Sequence, residues 1–130
     1  MTSQEGSGFL KYQVPIDAYG NGGFRFADMS HKGSLLCLPS GMHSWAVSDA
    51  SEITHASLEK VWAETDQIDV LFVGTGDQLL VLEKPIKQAG RELNIITEPM
   101  STGAAARTYN VLLGEKRAVA AALLAVERGK

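Results

Sequence analysis

The sequence predicts an α/β domain, α+β-like in the order of its elements, with helices on the faces of one sheet. Three observations carry that reading. Asp69-Val70-Leu71-Phe72-Val73-Gly74-Thr75-Gly76 sets four consecutive apolar residues between a carboxylate and a Gly-Thr-Gly turn, the pattern of a strand buried on both faces. Ahead of it lie short segments punctuated by glycine, as in antiparallel hairpins. Behind it, extended segments alternate with helical spacing, as in a layered sheet.

At 130 residues the chain has room for one domain, and at that length a core needs no disulfide or metal staple. Its apolar fraction of 45% and charged fraction of 21% are those of an ordinary globular protein. A net charge of −3 with mixed signs is not the basic footprint of a nucleic-acid binder. Cys37 is the single cysteine, so no internal disulfide forms and a reducing compartment is expected. The first eight residues lack the basic start and apolar run of a signal peptide. No apolar stretch approaches the roughly 20 residues of a membrane span. A cytoplasmic location is therefore expected.

Residues 1–9, small and polar, are expected to form a disordered tail, and residues 10–128 a single globular domain. Residues 10–18 read as an edge or lead-in segment, since Pro15 is unsuited to a central strand. Tyr19-Gly20-Asn21-Gly22-Gly23 is a tight turn. Strands follow over 24–26, 33–38 and 42–47, with a turn at Pro39-Ser40-Gly41, and together they predict a small antiparallel meander. Thr54 is placed to cap a helix over 55–65 that carries Leu58, Val61 and Trp62 on one face. After the 69–76 segment, residues 78–82 stay extended. Pro85 then opens a helix bearing Ile86, Ala89 and Leu93, with Gly90 weakening its end. Residues 94–97 form a strand containing the β-branched Ile95 and Ile96. Ser101-Thr102-Gly103 caps a helix over 104–113, with Gly114 as its stop. Residues 117–127, rich in alanine and leucine, suit a helix by propensity and a doubly covered strand by uniform apolarity.

Gly74-Thr75-Gly76 begins like a dinucleotide-binding turn, with Glu98 ending the next strand. However, Leu79 stands where the third glycine belongs, and the turn leads into an apolar run instead of a helix N-terminus. We reject that site. Ser101-Thr102-Gly103-Ala104-Ala105-Ala106-Arg107 is a better candidate: free N–H groups at a helix start, with Arg107 one turn in, suit a small anion. The plainer alternative is that Ser101 or Thr102 only caps and that Arg107 pairs with Glu98 or Asp77. Tyr109 falls in line with Ala105, Leu112 and Leu113 and is expected in the core, its hydroxyl finding a polar partner. Asn110 shares a face with Arg107. It either completes a recognition surface or closes a neighbouring loop, and the second reading is preferred. The candidate ligand-binding residues are thus Gly74, Thr75, Gly76, Ser101, Thr102, Gly103, Arg107 and Asn110. His31, His43 and His55 lack metal-ligand spacing, so no metal and no cofactor is expected. No Gly-x-Ser-x-Gly elbow is present, and no catalytic residue is assigned. Cys37, Trp45 and Trp62 read as packing residues.

Four stretches together carry a resemblance. They are Ile16-Asp17-Ala18-Tyr19-Gly20-Asn21-Gly22-Gly23-Phe24, then Gly33-Ser34-Leu35-Leu36 through Pro39 and Trp45, then Gly74-Thr75-Gly76. The fourth and most specific runs from Glu98-Pro99-Met100-Ser101-Thr102-Gly103 through Ala104-Ala105-Ala106-Arg107-Thr108-Tyr109-Asn110-Val111-Leu112. The chain resembles the small-domain family that includes mitochondrial complex I assembly factor 3 and uncharacterised bacterial and archaeal relatives. The resemblance implies three layers with a central mixed sheet and a small N-terminal antiparallel meander. It implies that residues 117–126 close the sheet as a strand antiparallel to its neighbours. It also implies a non-enzymatic protein-interaction module, related to respiratory complex I assembly, with an unidentified protein partner. Association with a membrane complex would be indirect, and the chain a monomer or weak dimer. The lack of an arginine-rich targeting segment makes the chain look bacterial. The alternative is a small anionic-ligand binder or weak enzyme using a cleft between the 74–76 turn and the 101–107 helix start, where ligands favour the carboxyl ends of strands.

Overall fold

The computed structural model describes residues 10–129, so the tail expected over residues 1–9 lies outside the described residues. The chain runs β1 (Ala18–Gly20), β2 (Gly23–Phe26), β3 (Met29–Lys32), β4 (Ser34–Leu38) and β5 (Gly41–Trp45). A run of short helical turns follows, including the four-residue helix α1 (Glu59–Trp62). Then come β6 (Val70–Gly74), α2 (Lys84–Glu92), β7 (Ile96–Met100), α3 (Thr102–Gly114) and β8 (Val119–Leu123). Strands β1, β2 and β3 form a three-stranded antiparallel sheet, and the other five form a mixed sheet in the order β5-β4-β8-β6-β7.

Alternation along the strands sorts their side chains into two cores. Leu36 and Leu38 of β4, Leu71 and Val73 of β6, and Ala120 and Ala122 of β8 share one core with Val61, Ile68 and Ile86. Leu35, Cys37, Phe72, Val119, Ala121 and Leu123 share the other with Phe24, Phe26, Ala105, Ala106 and Tyr109. The five-stranded sheet is therefore a middle layer, covered on one side by the 53–68 turns and α2. On the other side lie α3 and the small sheet. The expected single mixed α/β domain is what the chain forms.

The meander is real but its membership differs. Residues 34–38 and 41–45 belong to the large sheet, and β2 pairs instead with β1 and β3. Asn21 and Gly22, at φ of 53° and 76°, make a two-residue hairpin turn between β1 and β2, the Asn-Gly pairing that such turns favour. The next turn is less orthodox: Ala27 and Asp28 stand at φ of 49° and 62°. Alanine rarely takes that conformation, which is why β3 is hard to read from residue types.

Other expectations shift. The helix over 55–65 is broken into a 3-10 turn, α1 and a second 3-10 turn. The first turn has His55 and not Thr54 as its N-cap, although Thr54 Oγ1 still accepts from Ser57 N at 3.2 Å. The strand over 94–97 begins two residues later, because Asn94 sits in the left-handed region at φ 64° and ends α2. Pro99 is tolerated within β7 because this strand is an edge. Gly90 serves a purpose beyond weakening a helix: a Cβ there would stand 2.7 Å from Thr97 Cγ2, so its absence lets α2 approach β7. Helix α3 stops through Lys116 and not Gly114. Lys116 takes φ 63°, and Arg117 N donates to Leu112 O at 3.0 Å, as in a Schellman ending. Finally, β8 is antiparallel to β4 but parallel to β6, correcting the expectation that it opposes both neighbours.

The lead-in segment is held by side chains. Tyr109 Oη donates to Val14 O at 2.7 Å, and Gln13 Nε2 donates to Val119 O at 2.8 Å. Asn110 accepts from Ile16 N and donates to Ile16 O, both at 2.8 Å. Burial pushes the Cys37 thiol far above its ordinary range, opposed by a smaller hydrogen-bond contribution from Tyr109, so this cysteine acts as a small hydrophobe.

Replacing Ala27 by glycine removes the cost of a left-handed alanine. Ala27→Gly is expected to stabilise the domain by about 0.5–1 kcal/mol, read as a higher midpoint in urea denaturation. A lower midpoint would show that the β2–β3 turn is not built this way.

Candidate functional site

The carboxyl ends of β6 and β7 lie side by side, because the two strands are parallel and in register from Val70↔Ile96 to Gly74↔Met100. The turn at 74–76 and the start of α3 therefore meet on one rim of the sheet. They meet closely. Thr102 N donates to Gly76 O at 2.8 Å, and Gly76 N donates to Thr102 Oγ1 at 3.0 Å. The same hydroxyl donates to Leu124 O at 2.7 Å, and Leu124 N donates to Gly74 O at 3.0 Å. A Cβ at Gly74 would come 2.9 Å from Thr102 Cα. Thr102 is fully buried, so a hydroxyl with both hydrogen-bonding capacities used ties three segments together.

Thr75 works in the same way. Its N–H donates to Met100 O at 2.8 Å. Its hydroxyl donates toward Gln78 O at 2.6 Å, with Met100 O a second acceptor at 3.1 Å, and accepts from Leu80 N at 3.0 Å. Ser101 caps α3, its hydroxyl accepting from Ala104 N at 3.3 Å.

The remaining candidates lie on the outer side of the same helix turn. A Cβ at Gly103 would overlap the Tyr19 hydroxyl, and Arg107 Nη1 lies 3.4 Å from that position. The exposed Arg107 thus folds back over the first turn of α3, beside Tyr19, and forms no ion pair with Glu98 or Asp77. That corrects the pairing the sequence suggested. Asn110 is one turn further on, with its carboxamide on the Ile16 backbone. The structure bonds Gly76 to Thr102 directly and packs Gly74 against Thr102, while Thr75 bonds Met100, Gln78 and Leu80 and Ser101 caps its own helix. Gly103 and Arg107 form a separate pair at Tyr19.

The hollows among the described residues include two beyond the candidate rim itself. The larger, about 660 Å³, lies between the small sheet and the C-terminal segment and is lined in part by Tyr19, Arg25, His31, Lys32 and Glu127. His31 is buried. Its Nε2 donates to Ser34 O at 2.9 Å, leaving Nδ1 without a partner among the described residues. The smaller, about 150 Å³, lies behind residues 80–83. The alternation Met29-Ser30-His31-Lys32 was the available signal for the first, and the apolar run Leu79-Leu80-Val81-Leu82 for the second. Among the described residues no cluster of three or more His, Cys, Asp or Glu is placed to hold a metal ion. No helix among them is long and apolar enough to cross a membrane.

A family model described as "Protein of unknown function (DUF498/DUF598)" matches residues 16–124. An uncharacterized protein of Rhodobacter capsulatus is 40% identical over 111 residues, covering 85% of this chain and 84% of that one. The human protein named NADH dehydrogenase (ubiquinone) 1 alpha subcomplex assembly factor 3 is 33% identical over 109 residues, which are 84% of this chain and 59% of the human one. This chain therefore matches little more than half the length of that relative. Among solved structures, one described as an outer membrane protein from Bartonella henselae superposes with a TM-score of 0.87 at 52% identity, covering 90% of this chain and 98% of that one. A protein from Rhodopseudomonas palustris gives 0.81 at 43% identity over 97% and 93% of the two chains.

Thr102→Val keeps the shape of the side chain and strands Gly76 N–H and Leu124 C=O. Each stranded group is expected to cost about 1–3 kcal/mol in urea denaturation, while Thr102→Ser retains most of the stability. Equal stability of the valine variant and the parent would show that the hydroxyl does not join the two bends.

Proposed function

The chain belongs to the family described as Protein of unknown function (DUF498/DUF598), and from that premise we propose that it is a protein-interaction module. It acts, on this reading, from the cytoplasmic side in assembling a respiratory NADH dehydrogenase, through a protein partner and without a chemical step of its own. The observation that carries the proposal is its identity to the human assembly factor along most of this chain. The family match over residues 16–124 takes in both sheets and α3. The surface agrees: Leu79, Leu80 and Val81 are exposed in sequence, and exposed apolar clusters mark protein contacts.

Two measurements test this. Tagged protein recovered from the organism that encodes it is expected to bring down a NADH dehydrogenase subunit or a second assembly protein. Membranes of a deletion strain are expected to lose assembled complex and NADH:ubiquinone oxidoreductase activity. Recovery of no protein overturns the interaction module. Normal complex in the deletion strain overturns its connection to that enzyme.

A second reading is favoured by Arg107, whose exposed guanidinium turns back onto the first turn of α3 beside the Tyr19 hydroxyl. We propose that this corner, at the outer end of the rim built from the 74–76 and 101–103 bends, binds a small anion such as phosphate or a carboxylate. Millimolar phosphate, nucleotide or citrate is then expected to raise the melting temperature of the parent, and Arg107→Ala to abolish the rise. A parent indifferent to all three removes this reading.

A further inference from the structure

Residues 79–82 present an anomaly. Val81 is 87% exposed, Leu79 58% and Leu80 44%, while the next residue, Leu82, is 5% exposed. Three large apolar side chains stand in water on a loop whose shape is fixed. Leu80 N donates to Thr75 Oγ1 at 3.0 Å. His55 N donates to Glu83 Oε2 at 2.9 Å. Leu82 is anchored in the core shared with Ile53 and Ile86. Behind the loop is the hollow of about 150 Å³, lined by Ala50, Ile53, Thr75, Leu80, Val81 and Leu82 among others. A volume of about that size holds a benzene ring, so there is room for one leucine or phenylalanine side chain against Ile53, Leu80, Val81 and Leu82, with Ser51, Thr75 and Glu83 at its polar side.

One carboxylate lines this hollow, and three more adjoin its lining residues or its loop in the chain. Glu83 lines it, Asp49 and Glu52 flank the lining residues Ala50 and Ser51, and Asp77 precedes the loop, against Lys84 as the adjoining cation. Asp49 accepts from Ser51 N and Oγ. Glu52 accepts from Ser48 N and Oγ and from Asp49 N. Those hydrogen bonds hold both carboxyls below their ordinary range, so the charge persists throughout the physiological pH range.

We propose that loop 77–83 and the hollow behind it are the docking surface for a basic amphipathic segment of a partner protein. One apolar side chain of that segment enters the hollow, and its lysines or arginines face the carboxylate rim. The proposal rests on the interaction-module reading and names the surface that reading needs. Charge chooses the occupant. Anionic headgroups would be repelled by the rim, and a second copy of this chain would set carboxylate against carboxylate. A cationic helix with an apolar stripe matches both features.

The probe is a 14-residue amphipathic peptide of leucine and lysine, titrated into the full 15N-labelled chain, with the leucine–glutamate peptide as control. Shifts are expected at residues 49–53 and 75–83 with the lysine peptide alone. Val81→Asp is expected to weaken binding at least tenfold, and Asp77→Lys to weaken it also. Both positions are exposed, and an unchanged amide spectrum elsewhere confirms that each variant folds. Shifts centred elsewhere, equal binding of the glutamate peptide, or shifts at 79–81 that grow with protein concentration alone overturn the proposal. So does binding of phosphatidylglycerol vesicles through Val81. In cells, a partner recovered equally by parent and Val81→Asp overturns this surface while the interaction module stands. Loss of that partner in the variant supports both, and a parent that recovers nothing overturns both.

Discussion

Strand β8 is the constraint from which the rest follows. All five of its residues are buried, it pairs with β4 on one side and β6 on the other, and its alternate side chains face two different cores. A strand so placed has no polar face to give to water. Its run of alanines keeps it narrow, and Ala105 and Ala106 of α3 meet the same core from above. The β4–β5 hairpin and the β6–β7 pair touch in the sheet only through β8. The two halves of the middle layer are thus joined by the segment nearest the C-terminus, and pairing between residues as distant as Leu36 and Ala122 completes the sheet.

The rim at the ends of β6 and β7 shows what this arrangement does to polar groups. Two bends brought together by parallel pairing share backbone donors and acceptors that neither bend can satisfy alone. Thr102 resolves this with one buried hydroxyl, and Thr75 with another. The inner part of the rim is consequently a joint. What remains outward-facing are Gly103, Arg107 and the Tyr19 hydroxyl on one side, and the apolar loop after Asp77 on the other.

Much of this was legible in the residue pattern, and the failures have physical causes. The apolar run ahead of Gly74 announced an interior strand because no amphipathic alternative exists for Leu71, Phe72 and Val73. Ser101 announced a helix start because its side chain replaces a missing backbone acceptor. Tyr109 announced a core position through helical spacing. The turn at Ala27 and Asp28 was invisible, since its backbone geometry normally calls for glycine or asparagine, and with it went β3 and the hollow beside it. Residues 117–127 were ambiguous between helix and strand, and the strand forms because tertiary burial outweighs the small intrinsic helix preference of alanine. The 74–76 and 101–103 bends were expected on one rim, where the parallel register of β6 and β7 brings them, but the bonds that join Thr102 directly to Gly76 carry no signal in the residue types.

The proline in β7 has a consequence for how this molecule meets others. An outermost strand ordinarily offers a row of amide donors that invites a neighbour to extend the ladder. Pro99 deletes one rung of that row, and the other outermost strand, β5, is met by the Leu10–Met42 bridge. Recognition by lengthening the sheet is thereby discouraged at both margins, and a partner is left to read side chains on the faces and loops.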